Sequence, residues 1–162
     1  MDKLTPKQTS KGAEEIVLTQ IKQDFITPAN AIFDYVDMAE KALIDAQLES
    51  TDEIEQIKSS CSKLIDQYDV AFVQNTGVNA DSSKKSPEEY SELRHNLRTP
   101  LNAIIGYSEI LMEDYEDDLD EGTLEDFQQI INLARETETA IEKFVDFIRG
   151  EAVDIKDDNS SN

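Results

Sequence analysis

The sequence predicts an all-α fold: an antiparallel four-helix bundle built from two tandem helical hairpins, an intrachain pseudo-dimer. Three observations lead there. Apolar residues recur at three-and-four spacing in four separate stretches. Long alternations of Val, Ile and Thr, which would suit strands, are absent. The two halves of the chain also share a skeleton of apolar and turn residues.

The first helix is predicted over about residues 10–48, with Ile16, Leu18, Ile21, Phe25, Ala29, Ile32, Val36 and Ala39 on one face. Ser50 and Glu53 stand at capping-box spacing. A second stripe then runs Ile54, Ile57, Cys61, Leu64, Ile65, Tyr68, Ala71 and Phe72. Residues 75–85, NTGVNADSSKK, are polar and rich in Asn and Ser, and read as a linker. A strong helix start follows: Ser86 as cap, Pro87 in the first helical position and Glu89 closing the box. The third stripe is Tyr90, Leu93, Leu97, Leu101, Ile104, Ile105 and Leu111, and Gly122-Thr123 marks a turn. The fourth runs Phe127, Ile130, Ile131, Ala134, Ala140, Ile141, Phe144, Val145 and Ile148, with Gly150 ending it. The expected organisation is a hairpin at 10–74, a linker at 75–85, a second hairpin at 86–150 and a disordered tail at 151–162.

Shifting the first half by 72 residues lays Thr27-Pro28 on Thr99-Pro100. Asn30, Ala31, Ile32 and Tyr35 then meet Asn102, Ala103, Ile104 and Tyr107, so that six of the nine positions are identical. That density indicates a duplicated hairpin. The later helices correspond with a shift of 73, which places a one-residue difference near the turn. Two helices joined by a short turn begin and end at the same end of a bundle. Eleven linker residues reach roughly 36 Å when extended, so the two hairpins can close on each other within one chain. A monomer is expected, with a swapped homodimer as the alternative.

The formal net charge is −21 and 31% of residues are charged. Such a surface repels nucleic acid and anionic membranes, so neither is expected as a partner. No apolar run approaches the ~20 residues that span a bilayer, and the N-terminus has no signal-peptide core. The lone Cys61 falls on an apolar stripe and reads as a small core residue. These features suit a cytoplasmic setting. The acidic run at 113–126 fails as a calcium loop: with Gly122 in sixth place, the third and twelfth positions are Leu119 and Gln128. One His and one Cys exclude a His/Cys metal set, and no cofactor is expected in this chain.

Residues 93–111 read LRHNLRTPLNAIIGYSEIL and hold the only histidine. His95 lies two residues from the core position Leu97, which turns it away from the buried stripe. Arg98, one turn on, shares its face. A neutral imidazole is a competent nucleophile, and a guanidinium can grip phosphoryl oxygens through two parallel hydrogen bonds. Thr99 lies four residues on, within reach of a phosphoryl group or an attacking water. Pro100 lacks an N–H and crowds the carbonyl of Asn96, which should bend the helix beyond the site. The copies differ here: Gln23 stands opposite His95, Asp24 opposite Asn96 and Ile26 opposite Arg98.

The run from His95 through Asn96, Leu97, Arg98, Thr99, Pro100, Leu101 and Asn102 to Tyr107 resembles the H-box of sensor histidine kinases. That box belongs to their dimerisation and phosphoacceptor (HisKA, or DHp) domain, and the first half resembles the same domain in degenerate form. The resemblance implies a histidine phosphotransfer module of two-component signalling. It would exchange a phosphoryl group between His95 and an aspartate of a response-regulator receiver domain, which also supplies Mg²⁺. Two departures bear on the activity. Kinases of this type usually carry Glu or Asp directly after the histidine, whereas this chain has Asn96, an amide and a poor base. Nor is there a Gly-rich loop for ATP, since the five glycines are isolated. The chain is therefore expected to pass phosphoryl groups in a phosphorelay without kinase activity of its own. The alternatives are a non-catalytic dimerisation or interaction bundle, and the dimerisation fragment of a kinase whose ATP-binding lobe lies outside this chain.

Overall fold

A computed structural model describes residues 6–48, 51–76 and 85–150. The chain forms α1 (Pro6–Asp45), α2 (Thr51–Asn75), α3 (Pro87–Asp114) and α4 (Glu121–Arg149). Each helix packs on two others: α1 and α3 both lie against α2 and α4. The helices thus follow one another around a four-helix bundle of two paired hairpins, with α1/α3 and α2/α4 as diagonals. Most of the expected linker (residues 77–84), the tail 151–162 and Ser50 of the expected capping box lie outside the described residues.

The apolar stripes turn inward. Phe25, Ala29, Ile32 and Val36 of α1 are buried, and so are the residues 72 positions on, Leu97, Leu101, Ile104 and Ser108. In α2, Ile54, Ile57, Cys61, Leu64, Tyr68 and Ala71 are buried. Their counterparts 73 positions on, Phe127, Ile130, Ala134, Thr137, Ile141 and Phe144, are buried too. Ile16 departs from its predicted role at 72% exposure, beyond the N-terminal limit of the core.

The helix ends explain the remaining differences. α1 stops at Asp45 rather than near Leu48 because Gln47 adopts a left-handed φ of 61°. The Leu48 N–H then donates to the Leu43 carbonyl, the Gln47 N–H donates to that of Ile44, and Leu48 folds onto the core. This is a Schellman closure with glutamine where glycine is usual. The second hairpin's turn occupies 115–120 and not Gly122-Thr123, which lie in the first turn of α4. Asp120 caps that helix, its carboxylate accepting from the Thr123 N–H at 2.8 Å. The left-handed Gly150, with φ 87°, ends α4 as expected. The Ser86 box forms in full: Ser86 Oγ accepts from the Glu89 N–H, and Glu89 Oε1 accepts from the Ser86 N–H at 2.7 Å. No helix among the described residues is long and apolar enough to cross a membrane.

Candidate functional site

The Ser86 box fixes the start of α3, and Leu97, Pro100, Leu101 and Ile104 fix its buried side. His95 is thereby aimed outward, roughly opposite Leu97, and is exposed. Among the described residues its ring has no hydrogen-bond or ion-pair partner. The backbone alone presents it. α3 continues without a break through Pro100, and α1 continues through Pro28; both prolines are buried.

The neighbours of His95 divide by side. Toward α4, Arg98 places Nη2 2.5 Å from Glu138 Oε2 and Nη1 3.8 Å from Glu142 Oε2. Its side chain remains 42% exposed, while Nε is buried without a hydrogen-bond partner. Arg94 Nε lies 2.9 Å from Glu142 Oε1. Two guanidiniums therefore flank His95, and two α4 carboxylates hold both. Toward α2, the exposed Asn96 lines a groove of about 330 Å³ with Leu93, Leu97, Val70 and Ala71. The Thr99 hydroxyl donates to the His95 carbonyl at 2.9 Å, a back-bond that holds it along the helix.

On α1, Gln23 is exposed, and its Oε1 accepts from the Thr27 hydroxyl at 3.4 Å. Ile26 and Ile65 occupy the positions equivalent to Arg98 and Glu138, and both pack partly buried against the core. Arg94, Glu138 and Glu142 are absent from the sequence expectations. The available signal was the repeat: Lys22 and Asp69, 72 and 73 residues earlier than Arg94 and Glu142, also form an ion pair, at 3.8 Å.

The arrangement can present an imidazole lone pair to an incoming electrophile, with guanidiniums on one flank and an amide-edged apolar groove on the other. Residues 88–153 match the model of the His Kinase A (phospho-acceptor) domain. Neither the curated proteins nor the solved structures gave a match. The second hairpin is thus a HisKA-like helical domain forming part of the bundle, consistent with two-component phosphotransfer in general.

Proposed function

We propose that the chain is a histidine phosphotransfer module, exchanging a phosphoryl group between His95 and an aspartate of a response-regulator receiver domain without kinase activity of its own. The observation that carries this is the exposed, unpartnered imidazole inside the matched domain. The unprotonated ring nitrogen attacks the phosphorus of the aspartyl phosphate and the N–P bond forms. The P–O bond to the aspartate breaks, and its electron pair leaves with the carboxylate. The second ring nitrogen keeps its proton, and the reverse transfer retraces these steps. Such a transfer needs alignment and charge neutralisation more than a protein base, so Asn96 suffices where ATP chemistry would favour a carboxylate. Arg98 supplies neutralisation by sharing its guanidinium between Glu138 and the phosphoryl oxygens. The Thr99 hydroxyl would contact the phosphoryl group on leaving the His95 carbonyl. Mg²⁺, bound by the receiver, would neutralise the phosphoryl oxygens from the other side.

The first hairpin is read as a degenerate copy in which Gln23 stands for His95. The shared burial pattern of the two hairpins and the matching ion pairs support that reading. The domains would then be 10–74 and 86–150, closed on each other in a monomeric pseudo-dimer. Incubation with ³²P-charged receiver domains tests the transfer. Acid-labile, base-stable label on this chain, lost in His95→Gln and never acquired from ATP alone, is the expected result. Label surviving in His95→Gln would sink the assignment.

A further inference from the structure

We infer that Glu138 is a positioning residue that, through Arg98, biases the phosphoryl equilibrium away from His95 and toward the receiver. This deepens the phosphotransfer reading and rests on it.

Comparing the two hairpins separates scaffold from site. The Arg94–Glu142 pair of the second has a counterpart in Lys22–Asp69 of the first, so an ion pair at that level belongs to the bundle in either half. Arg98 and Glu138 have no such counterpart. Shifts of 72 and 73 residues lead from them to Ile26 and Ile65, which pack against the core. The pair that joins α3 to α4 one turn from the histidine thus occurs only in the hairpin that has a histidine.

Its geometry commits the guanidinium before any phosphoryl group arrives. Glu138 Oε2 takes Nη2 of Arg98, and Glu142 divides its oxygens between Arg94 Nε, at 2.9 Å, and Arg98 Nη1, at 3.8 Å. Two cations meet two carboxylates, so these four side chains sum to zero charge beside His95. Arg98 Nε stays buried with no hydrogen-bond partner among the described residues, at the cost of desolvating a charged donor. The guanidinium therefore keeps a donor in reserve while its charge is already matched. Transfer moves the phosphoryl group from the aspartyl oxygen to a ring nitrogen of His95, the aspartate leaving with the electron pair. The phosphoryl oxygens then compete with Glu138 for Arg98, on a chain whose net charge is −21. A carboxylate that competes only in the phosphorylated state shifts the equilibrium back toward the receiver. One that merely aligned Arg98 would change the forward and reverse rates together and leave their ratio alone.

The test measures that ratio. Initial rates of transfer from the ³²P-charged receiver to the chain, and from the labelled chain back to the receiver, give the equilibrium constant. Glu138→Gln keeps the shape and removes the charge, and circular dichroism confirms that it folds. It should move the equilibrium toward the labelled chain by about threefold, the scale of a half-exposed ion pair. Glu138→Asp, which retains the charge, should stay near the wild-type ratio. So should Asp69→Asn, which removes a carboxylate from the first hairpin's pair. An unchanged or lowered ratio in Glu138→Gln would overturn the proposal and leave Glu138 as an aligner of Arg98 or part of the scaffold. An equal shift in Asp69→Asn would overturn it too, by tracing the effect to net charge. Either result keeps His95 as phosphoacceptor. Failure of the phosphotransfer reading itself shows differently, as label surviving in His95→Gln.

Discussion

Among the described residues, two hydroxyls are sealed in the bundle without partners: those of Tyr68 and Ser108. Tyr68 stacks on Phe25 with ring centroids 3.6 Å apart, and burial pushes its phenol well above the usual range, with the Asp24 charge adding to the shift. A buried hydroxyl without a partner forfeits its hydrogen bond to water. Tyr68→Phe and Ser108→Ala should therefore each hold or raise stability, Tyr68→Phe by about 1 kcal/mol, read as the urea midpoint. A clear loss in Tyr68→Phe would mean that the hydroxyl has a partner. Burial also drives the Cys61 thiol up to about 12, so the native chain should resist thiol reagents until it unfolds.

The same scale marks the limit of reading apolar stripes. Ser108 and Thr137 occupy core positions where the first hairpin has Val36 and Leu64. A pattern built on apolar letters passes over them. Only the repeat locates them, together with the Thr137 hydroxyl's bond to the Leu133 carbonyl, at 2.8 Å, which makes its burial tolerable. Outward aim was legible for His95, because two residues from Leu97 is nearly the opposite side of a helix. The pairing of Arg98 with Glu138 was not, since the two are forty residues apart and on different helices.

At the scale of elements, the cap before α3 sets where the histidine's helix begins. Ser86→Ala removes the acceptor for the Glu89 N–H and should cost about 1 kcal/mol, measured by thermal melting. The start of α4 carries two carboxylates of opposite sign in their pH dependence, the cap Asp120 and Asp126 in the helix itself. Hydrogen bonds from Thr123 hold Asp120 below the ordinary carboxylate range. Its stabilising effect is therefore present above the unfolded-state value and is lost as pH falls through the folded one. Burial first, then the charges of Asp120 and Glu125, push Asp126 up. Its ionisation opposes folding above that raised value and stops doing so in acid. Asp126→Asn should thus raise the melting temperature at pH 7 and have little effect at pH 3 to 4, about the carboxylate range. Asp120→Asn, which keeps a capping oxygen, should flatten the acid limb.

The second hairpin also carries a polar pair at positions where the first hairpin is apolar. Arg98 and Glu138 stand where Ile26 and Ile65 pack against the core. Half-exposed ion pairs contribute ~1 kcal/mol or less, and apolar replacements of similar volume often match or exceed them. Arg98→Ile with Glu138→Ile should therefore melt no lower than the wild type. If Arg98 neutralises the phosphoryl group, the same double variant should lose transfer by roughly a hundredfold. Loss of stability without loss of transfer would make this pair part of the scaffold and remove Arg98 from the chemistry.

For the whole molecule, two electrostatic effects compete. Ion pairs such as Lys22–Asp69, Lys58–Glu40 and Arg94–Glu142 join neighbouring helices, and salt should weaken them. Against them stands the self-repulsion of a chain whose net charge is −21, which salt relieves. The pairs are partly exposed, so each is worth at most ~1 kcal/mol. The excess acidic charge is spread over every helix, and many of its mutual distances fall within the Debye length of ~10 Å at 0.1 M salt. Relief of repulsion should win, and the melting temperature should rise between ~0.01 and ~0.15 M sodium chloride. A fall over that range would mean that the inter-helix pairs outweigh the self-repulsion of the acidic surface. Because the two hairpins share one core, that rise should appear as the shift of a single transition rather than of two.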